Sequence, residues 1–223
     1  MLNQSFLFSL YILILGFIFS GNASINTSNI VHELNNKRFD TVVRDIPLGK
    51  NGKPASYYRD KPIVENMMGL SSLESGFDSL QIRLWYSYGR SDSAQLIIFK
   101  SINGAWSGEL YSLIYLTNEN GSRHTSIPFT KRAVKPISGW KYFTNKLLRL
   151  HIYTLPDEGK ILNYPDWTEP SAIIIEIATL KNYRIYMYNQ PASAQKRIWQ
   201  AKNIERILEL VENEFRIKRL HKF

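Results

Sequence analysis

Five carboxylates lie close together in the second half of the chain: Asp157, Glu158, Asp166, Glu169 and Glu176. The first four share an irregular, proline-containing stretch (156–170) with Tyr164 and Trp167, and Glu176 follows inside an isoleucine-rich run. A glycoside hydrolase needs two carboxylates across the scissile bond, often beside an aromatic platform for the sugar. Loops held on a rigid scaffold commonly carry such groups. An acidic, proline-rich connection also arises simply as a solvated linker, and catalytic pairs are the rarer use of one. The balance therefore leans away from an enzyme. Glu176 stands apart: facing a core it needs a partner, because an unpaired buried carboxylate is costly. Arg184 is the expected cross-strand partner, in an ion pair of structural character.

Basic and aromatic side chains form the second pattern. Arg83 and Trp85 share one face of an expected strand, and Arg184, Tyr186 and Tyr188 share one face of another. Such faces bind sugars or single-stranded nucleic acid when open to solvent. Tyr and Trp also favour strands for packing alone. The candidate binding residues are thus Arg83, Trp85, Asp166, Trp167, Glu169, Glu176, Arg184 and Tyr186.

Other chemistries lack their residues. The four histidines (His32, His124, His151, His221) show no metal-ligand spacing, and cysteine is absent. His32-Glu33 begins as a zinc-protease helix would, but Asn36 occupies the second ligand position. No Gly-x-Ser-x-Gly elbow, phosphate-binding loop or dinucleotide fingerprint occurs. The basic-Gly-aromatic string of RNA-binding sheets is missing as well. The expectation is no metal, no cofactor, no nucleotide and no specific nucleic-acid motif.

The elements that must position these residues follow from period and punctuation. Residues 80–88 alternate apolar and polar with period two, a half-buried strand. Residues 94–100 (AQLIIFK) read as a central strand covered on both faces. Asn103-Gly104 links this run to a returning strand from Trp106 to Leu116, the strongest short hairpin signal. Asn120-Gly121 marks another turn, and residues 123–129 form an expected fourth strand. Trp140, Phe143, Leu147 and Leu150 recur at helical spacing behind Ser138, an expected cap. Residues 172–177 and 183–188 form a second hairpin. A long helix then carries Ala201, Ile204, Leu208, Val211 and Phe215 as its apolar stripe, with Ser193 as its expected cap. In residues 38–75, Pro47, Pro54 and Pro62 argue against any long regular element, leaving a short strand at 41–43 and an Asn51-Gly52 turn. The expected fold is α+β: an antiparallel sheet of about six strands, covered on one face by a middle helix and a C-terminal helix.

The first residues suggest export. Phe6 to Phe19 contains no charge and suits the apolar core of a secretory signal, short of the ~20 residues that span a bilayer. Gly21 and Ala23 are the small residues a signal peptidase requires. No Lys or Arg precedes the run, which departs from the usual pattern and leaves an N-terminal membrane anchor as the alternative. The expected organisation is a signal peptide (1–23), a Ser/Asn-rich leader (24–37) and one domain (38–223), placed in the periplasm or outside the cell. A net charge of +9 permits an anionic envelope polymer or a protein as partner, without requiring either.

Residues 77–86 (FDSLQIRLWY), 106–111 (WSGELY) and 183–188 (YRIYMY) before Pro191 resemble segments of small exported proteins of Bacteroidota that carry no assigned function. The resemblance implies a bacterial envelope setting and transfers no mechanism or site. The reading that results is an exported binding module. The alternatives are a small hydrolase of an envelope glycan or anionic polymer, or a secreted inhibitor or immunity-type protein.

Overall fold

The computed structural model describes residues 42–49, 52–89, 93–114, 128–167 and 171–218. The signal and leader, the Asn120-Gly121 turn, most of 123–128, Glu169 and three of the four histidines lie outside the described residues.

The chain is α+β, built on a mixed seven-stranded sheet. In chain order the elements are β1 (Val43–Asp45), α1 (Ser56–Met67), β2 (Leu80–Gly89), β3 (Ser93–Ile102), β4 (Ala105–Ile114), β5 (Phe129–Val134), α2 (Trp140–Arg149), β6 (Ser171–Thr179), β7 (Asn182–Asn189), the short α3 (Pro191–Ala194) and α4 (Trp199–Phe215). Strand order across the sheet is β1-β7-β6-β2-β3-β4-β5. The hairpin β3–β4 forms as expected: Asn103 and Gly104 both take positive φ, and Ile102 pairs with Ala105 across them. The next strand, β5, runs from Phe129 to Val134 and overlaps the expected 123–129 only at Phe129.

Two expectations are corrected. The sheet is not wholly antiparallel, because β1 pairs with β7 in parallel. The middle and C-terminal helices do share one face as expected, but the opposite face is covered as well, by α1. Following strand directions through the pairings, β1 runs parallel to β2 and β5 runs parallel to β6. Each of these connections must therefore cross a face of the sheet. The first crosses with α1 and the second with α2. Two cores result: Ile82, Leu84, Phe99, Ile175 and Tyr186 pack with Phe143 of α2 and Leu208 and Phe215 of α4. Trp85, Leu96, Ile98, Ile174 and Tyr183 pack with Tyr57, Val64 and Met68 on the α1 side.

Helix α1 overturns the expectation of irregular chain in 38–75. Among its described side chains Tyr57, Lys61, Val64 and Glu65 are buried, a single helical face that Met68 continues just past its end. Two of the five are charged, while Ile63 points to solvent and Pro62 lies inside the helix. No apolar period marks such a face. Helices α2 and α4 begin after Gly139 and Ile198 rather than at the expected serine caps, and neither has a side-chain cap bond. Among the described residues no helix is long and apolar enough to cross a membrane.

The segment 69–78 returns the chain from α1 to β2 and closes against the β6–β7 turn. Phe77 N–H donates to the Thr179 carbonyl at 2.9 Å. Gly76 sits there with φ of +81°, and a Cβ would lie 2.8 Å from the Leu180 carbonyl oxygen. Both backbone conformation and space require glycine. Gly76→Ala is expected to destabilise the domain by about 2 kcal/mol in urea unfolding; an unchanged midpoint would contradict this close approach.

Candidate functional site

The core on the α1 side holds four ionisable side chains that are almost fully buried: Lys61 and Glu65 on α1, Arg83 on β2 and Glu176 on β6. Glu176 is 0% exposed. It accepts from Lys61 Nζ at 2.8 Å, from Trp85 Nε1 at 3.1 Å and from the Tyr183 hydroxyl at 2.9 Å. Arg83 Nη1 lies 3.9 Å from it and donates to Glu65 Oε1. Lys61 also bonds Glu65 at 3.0 Å, one helical turn away. Arg83 Nη2 donates to the Ser71 carbonyl at 2.7 Å, tying the post-helix segment to the sheet. Arg83 Nε is buried and has no hydrogen-bond partner among the described residues.

The expected Glu176–Arg184 pair does not form. The β6–β7 register sets Glu176 opposite Ile185, so Arg184 projects from the other face. The cross-strand cation is Arg83, opposite Glu176 on β2. Arg184 instead donates to Asp45 Oδ2 at 2.9 Å and to the Tyr153 and Leu155 carbonyls. Its guanidinium stacks 4.9 Å from the centre of the Tyr186 ring. Tyr186 is buried, with its hydroxyl on the Ile152 carbonyl at 2.6 Å. This face is packing rather than open platform.

Burial pushes the carboxyls of the cluster up, and their neighbours decide the outcome. For Glu176, Lys61 and Arg83 outweigh burial and hold the carboxyl below its ordinary range. For Glu65, burial and the charge of Glu176 prevail over Lys61 and Arg83, and its pKa rises to about 7. Lys61 rises despite burial, because Glu176 and Glu65 face it.

The acidic 156–170 stretch is partly committed to the sheet edge. Asp157 Oδ2 accepts from the Met187 N–H and the Tyr57 hydroxyl, both at 2.9 Å. Glu158 accepts from the Asn189 N–H at 2.5 Å and from its side-chain amide. Beyond the short β1, these carboxylates occupy the edge N–H groups of β7 that a longer strand would take. Asp166 is exposed, and among the described residues of this stretch none is a hydrogen-bond or ion-pair partner of Glu176.

Two cavities reach the candidate residues. One, of about 510 Å³, lies between the 69–78 segment and the sheet, with Gln81, Arg83, Lys100, Tyr111 and Lys131 in its lining. The other, of about 570 Å³, is bordered by Leu162, Trp167, Lys196 and Arg197. Leu162 is 87% exposed, and the Trp167 indole N–H is buried without a partner among the described residues. The structure therefore brings Arg83, Trp85 and Glu176 together and sets Arg184 and Tyr186 on the opposite face. Sequence reasoning missed Lys61, Glu65, Lys100 and Lys131; the i, i+4 spacing of Lys61 and Glu65 was the available signal. Among the described residues no cluster of three or more His, Cys, Asp or Glu is placed to hold a metal.

Lys61→Met leaves two buried carboxylates facing only Arg83 and is expected to lose about 3–5 kcal/mol in urea unfolding. The double variant Lys61→Met/Glu65→Leu should recover part of that loss, and equal losses would refute the coupling. Glu158 supplies a pH test. Burial, opposed by the Asn189 hydrogen bonds, raises its pKa from 4.5 to about 7. The folded state thus holds a proton more tightly than the unfolded chain. The resulting stabilisation is complete below about pH 4.5 and is lost as pH rises through about 7, amounting to about 3 kcal/mol. Glu65 acts in the same sense. Asp45, Glu109 and Glu176, whose carboxyls are lowered, act oppositely and lose their contribution in acid. Glu158→Gln should flatten the fall of the melting temperature between pH 5 and 8; an unchanged slope would contradict the assignment.

No family model, no curated protein and no solved structure matches this chain.

Proposed function

We propose that this protein is an exported, non-enzymatic binding module whose ligand enters the cavity between the 69–78 segment and the sheet. The observation that carries the reading is a buried ionic network with a cavity at one of its members. Four charges in a core are a poor way to gain stability, since well-packed apolar residues of similar volume often do better. Buried charge beside a cavity is the usual mark of a site. Arg83, only 2% exposed, belongs to both. Export is supported by the uncharged run from Phe6 to Phe19 and the small residues Gly21 and Ala23.

The groove beside Trp167 favours a second reading, an anionic polymer lying on the surface. An indole, an unpaired indole N–H and the cations Lys196 and Arg197 suit a chain with acidic substituents.

One experiment separates these. A panel of small sugars, sugar acids and amino acids is screened by thermal shift against the mature chain, Ser72→Trp and Trp167→Ala. Ser72 is an exposed position in the cavity lining, where an indole would fill the opening. Shifts lost only in Ser72→Trp support the cavity. Shifts lost only in Trp167→Ala support the groove instead. Shifts that survive both changes, or none from any compound, overturn both readings.

A further inference from the structure

The cavity over Arg83 has a definite chemical bias. Its lining includes the cations Arg83, Lys100 and Lys131, the amide of Gln81 and one carboxylate, the exposed Asp78. Lys100 and Lys131 both reach Glu109, at 3.1 and 2.9 Å, and the Tyr111 hydroxyl donates to the same carboxylate at 3.2 Å. One negative charge is thus shared by two ammonium groups. Each ammonium has three N–H donors, so most of theirs are not used by Glu109. Arg83 has five donors. Glu65 and the Ser71 carbonyl hold its two terminal nitrogens, and Nε has no partner among the described residues. An interior donor without an acceptor is costly to leave.

Resting on the binding-module reading above, we propose that this cavity receives the oxyanion substituent of a small ligand: a sulfate, phosphate or carboxylate carried on a sugar-sized body. The oxyanion lies among Lys100, Lys131 and Gln81, with Arg83 behind them. At about 510 Å³ the space exceeds what a free oxyanion fills and falls within the range of small-molecule sites. The body of the ligand packs against the 69–78 segment. Lys100 and Lys131 keep 28% and 47% of their side chains exposed, so a ligand reaches them without opening the core.

The network behind the cavity makes binding respond to pH. Glu65 is faced by Lys61 on its own helix, Arg83 on β2 and Glu176 on β6; Tyr183 on β7 bonds Glu176. With its pKa already near 7, Glu65 takes a proton readily when an anion draws on the charge of Arg83. An anion of fixed charge therefore binds more tightly in mild acid.

The test is calorimetric titration of the mature protein with glucose 6-sulfate, glucose and sodium sulfate at matched ionic strength. The expected order is glucose 6-sulfate tightest, sulfate weaker and glucose weakest. Lys100→Gln and Lys131→Gln should each weaken glucose 6-sulfate five- to tenfold with little effect on glucose. Affinity for glucose 6-sulfate should be several-fold higher at pH 6 than at pH 8, and Glu65→Gln should remove that difference. Sulfate binding as tight as glucose 6-sulfate would assign a free anion rather than a substituted sugar and overturn the proposed body. Glucose binding as tight as its sulfate, lost in Ser72→Trp, would refute the oxyanion while leaving the cavity reading intact. Binding of glucose 6-sulfate that is indifferent to Lys100→Gln, Lys131→Gln and Ser72→Trp, or its absence, would overturn the oxyanion site, while the cavity reading stands or falls on the compound panel with Ser72→Trp.

Discussion

An ionised carboxylate cut off from water carries a desolvation penalty of several kcal/mol, and Glu176 sits at zero exposure in the middle of a seven-stranded sheet. Only a cation brought to it offsets that penalty. Lys61, at 2.8 Å, is the nearer of the two that face it, Arg83 lying at 3.9 Å, and it arrives on α1. The position of α1 over β6 and β7 thus follows from two causes acting together. The crossover from β1 to β2 must pass over that face, and the ammonium of Lys61 must reach Glu176. Tyr183 and Trp85 complete the acceptor sites of the carboxylate from the sheet itself. Arg83 then links the helix partner Glu65 to the carbonyl of Ser71, so the segment after α1 is fixed by the same network. The cavity wall formed by residues 69–78 is in this sense a consequence of Glu176.

The other end of the sheet uses charge differently. Strand β1 covers β7 only from Asn182 to Arg184. The N–H groups of Met187 and Asn189 lie past its end on the same edge of β7, since successive N–H groups alternate between edges. Asp157 and Glu158 accept from them in turn. Two side chains thereby stand where two backbone carbonyls of a longer β1 would be. Arg184 holds that arrangement from the opposite side, bonding Asp45 of β1 and the carbonyls of Tyr153 and Leu155 that lead into the acidic stretch. A segment whose composition suggests catalysis is largely explained by the need to close a sheet edge.

This contrast accounts for what was legible in the sequence. Strands β2 to β4 and the helix α4 declare themselves because apolar residues carry their buried faces: Ile82, Leu84 and Tyr86 in one, Ile204, Leu208 and Val211 in the other. Helix α1 hides because its buried face carries Lys61 and Glu65, whose burial depends on residues 83 and 176, distant in sequence and adjacent only in the sheet. The same cause misdirected the partner of Glu176. Arg184 is nearer along the chain, but a pairing register one residue different decides the face, and no local signal reports it. The candidate site is half visible: strand alternation marks Arg83 and Trp85, and a lone carboxylate inside an isoleucine-rich run marks Glu176, whereas the cations from the helix and from β3 and β5 require the tertiary structure.

The cavity and the network should be seen as one electrostatic object with two environments. Deep in the core, Lys61, Glu65, Arg83 and Glu176 satisfy one another nearly completely, which holds Lys61 and Glu176 charged. That closure is incomplete at Arg83, which lines the cavity and whose Nε has no hydrogen-bond partner among the described residues; beside it, Lys100 and Lys131 both reach the carboxylate of Glu109. A fully closed network would fix the fold and nothing more. The residues that carry the remaining donors sit on paired strands, β2, β3 and β5, which fixes their backbone positions around the cavity. The groove beside Trp167 is bordered by the loop residues Leu162 and Trp167, by Ser193 and Ala194 of α3 and by Lys196 and Arg197 after it, none of them a member of the buried ionic network. Contact with that network at Arg83, rather than cavity size, is what separates the two surfaces.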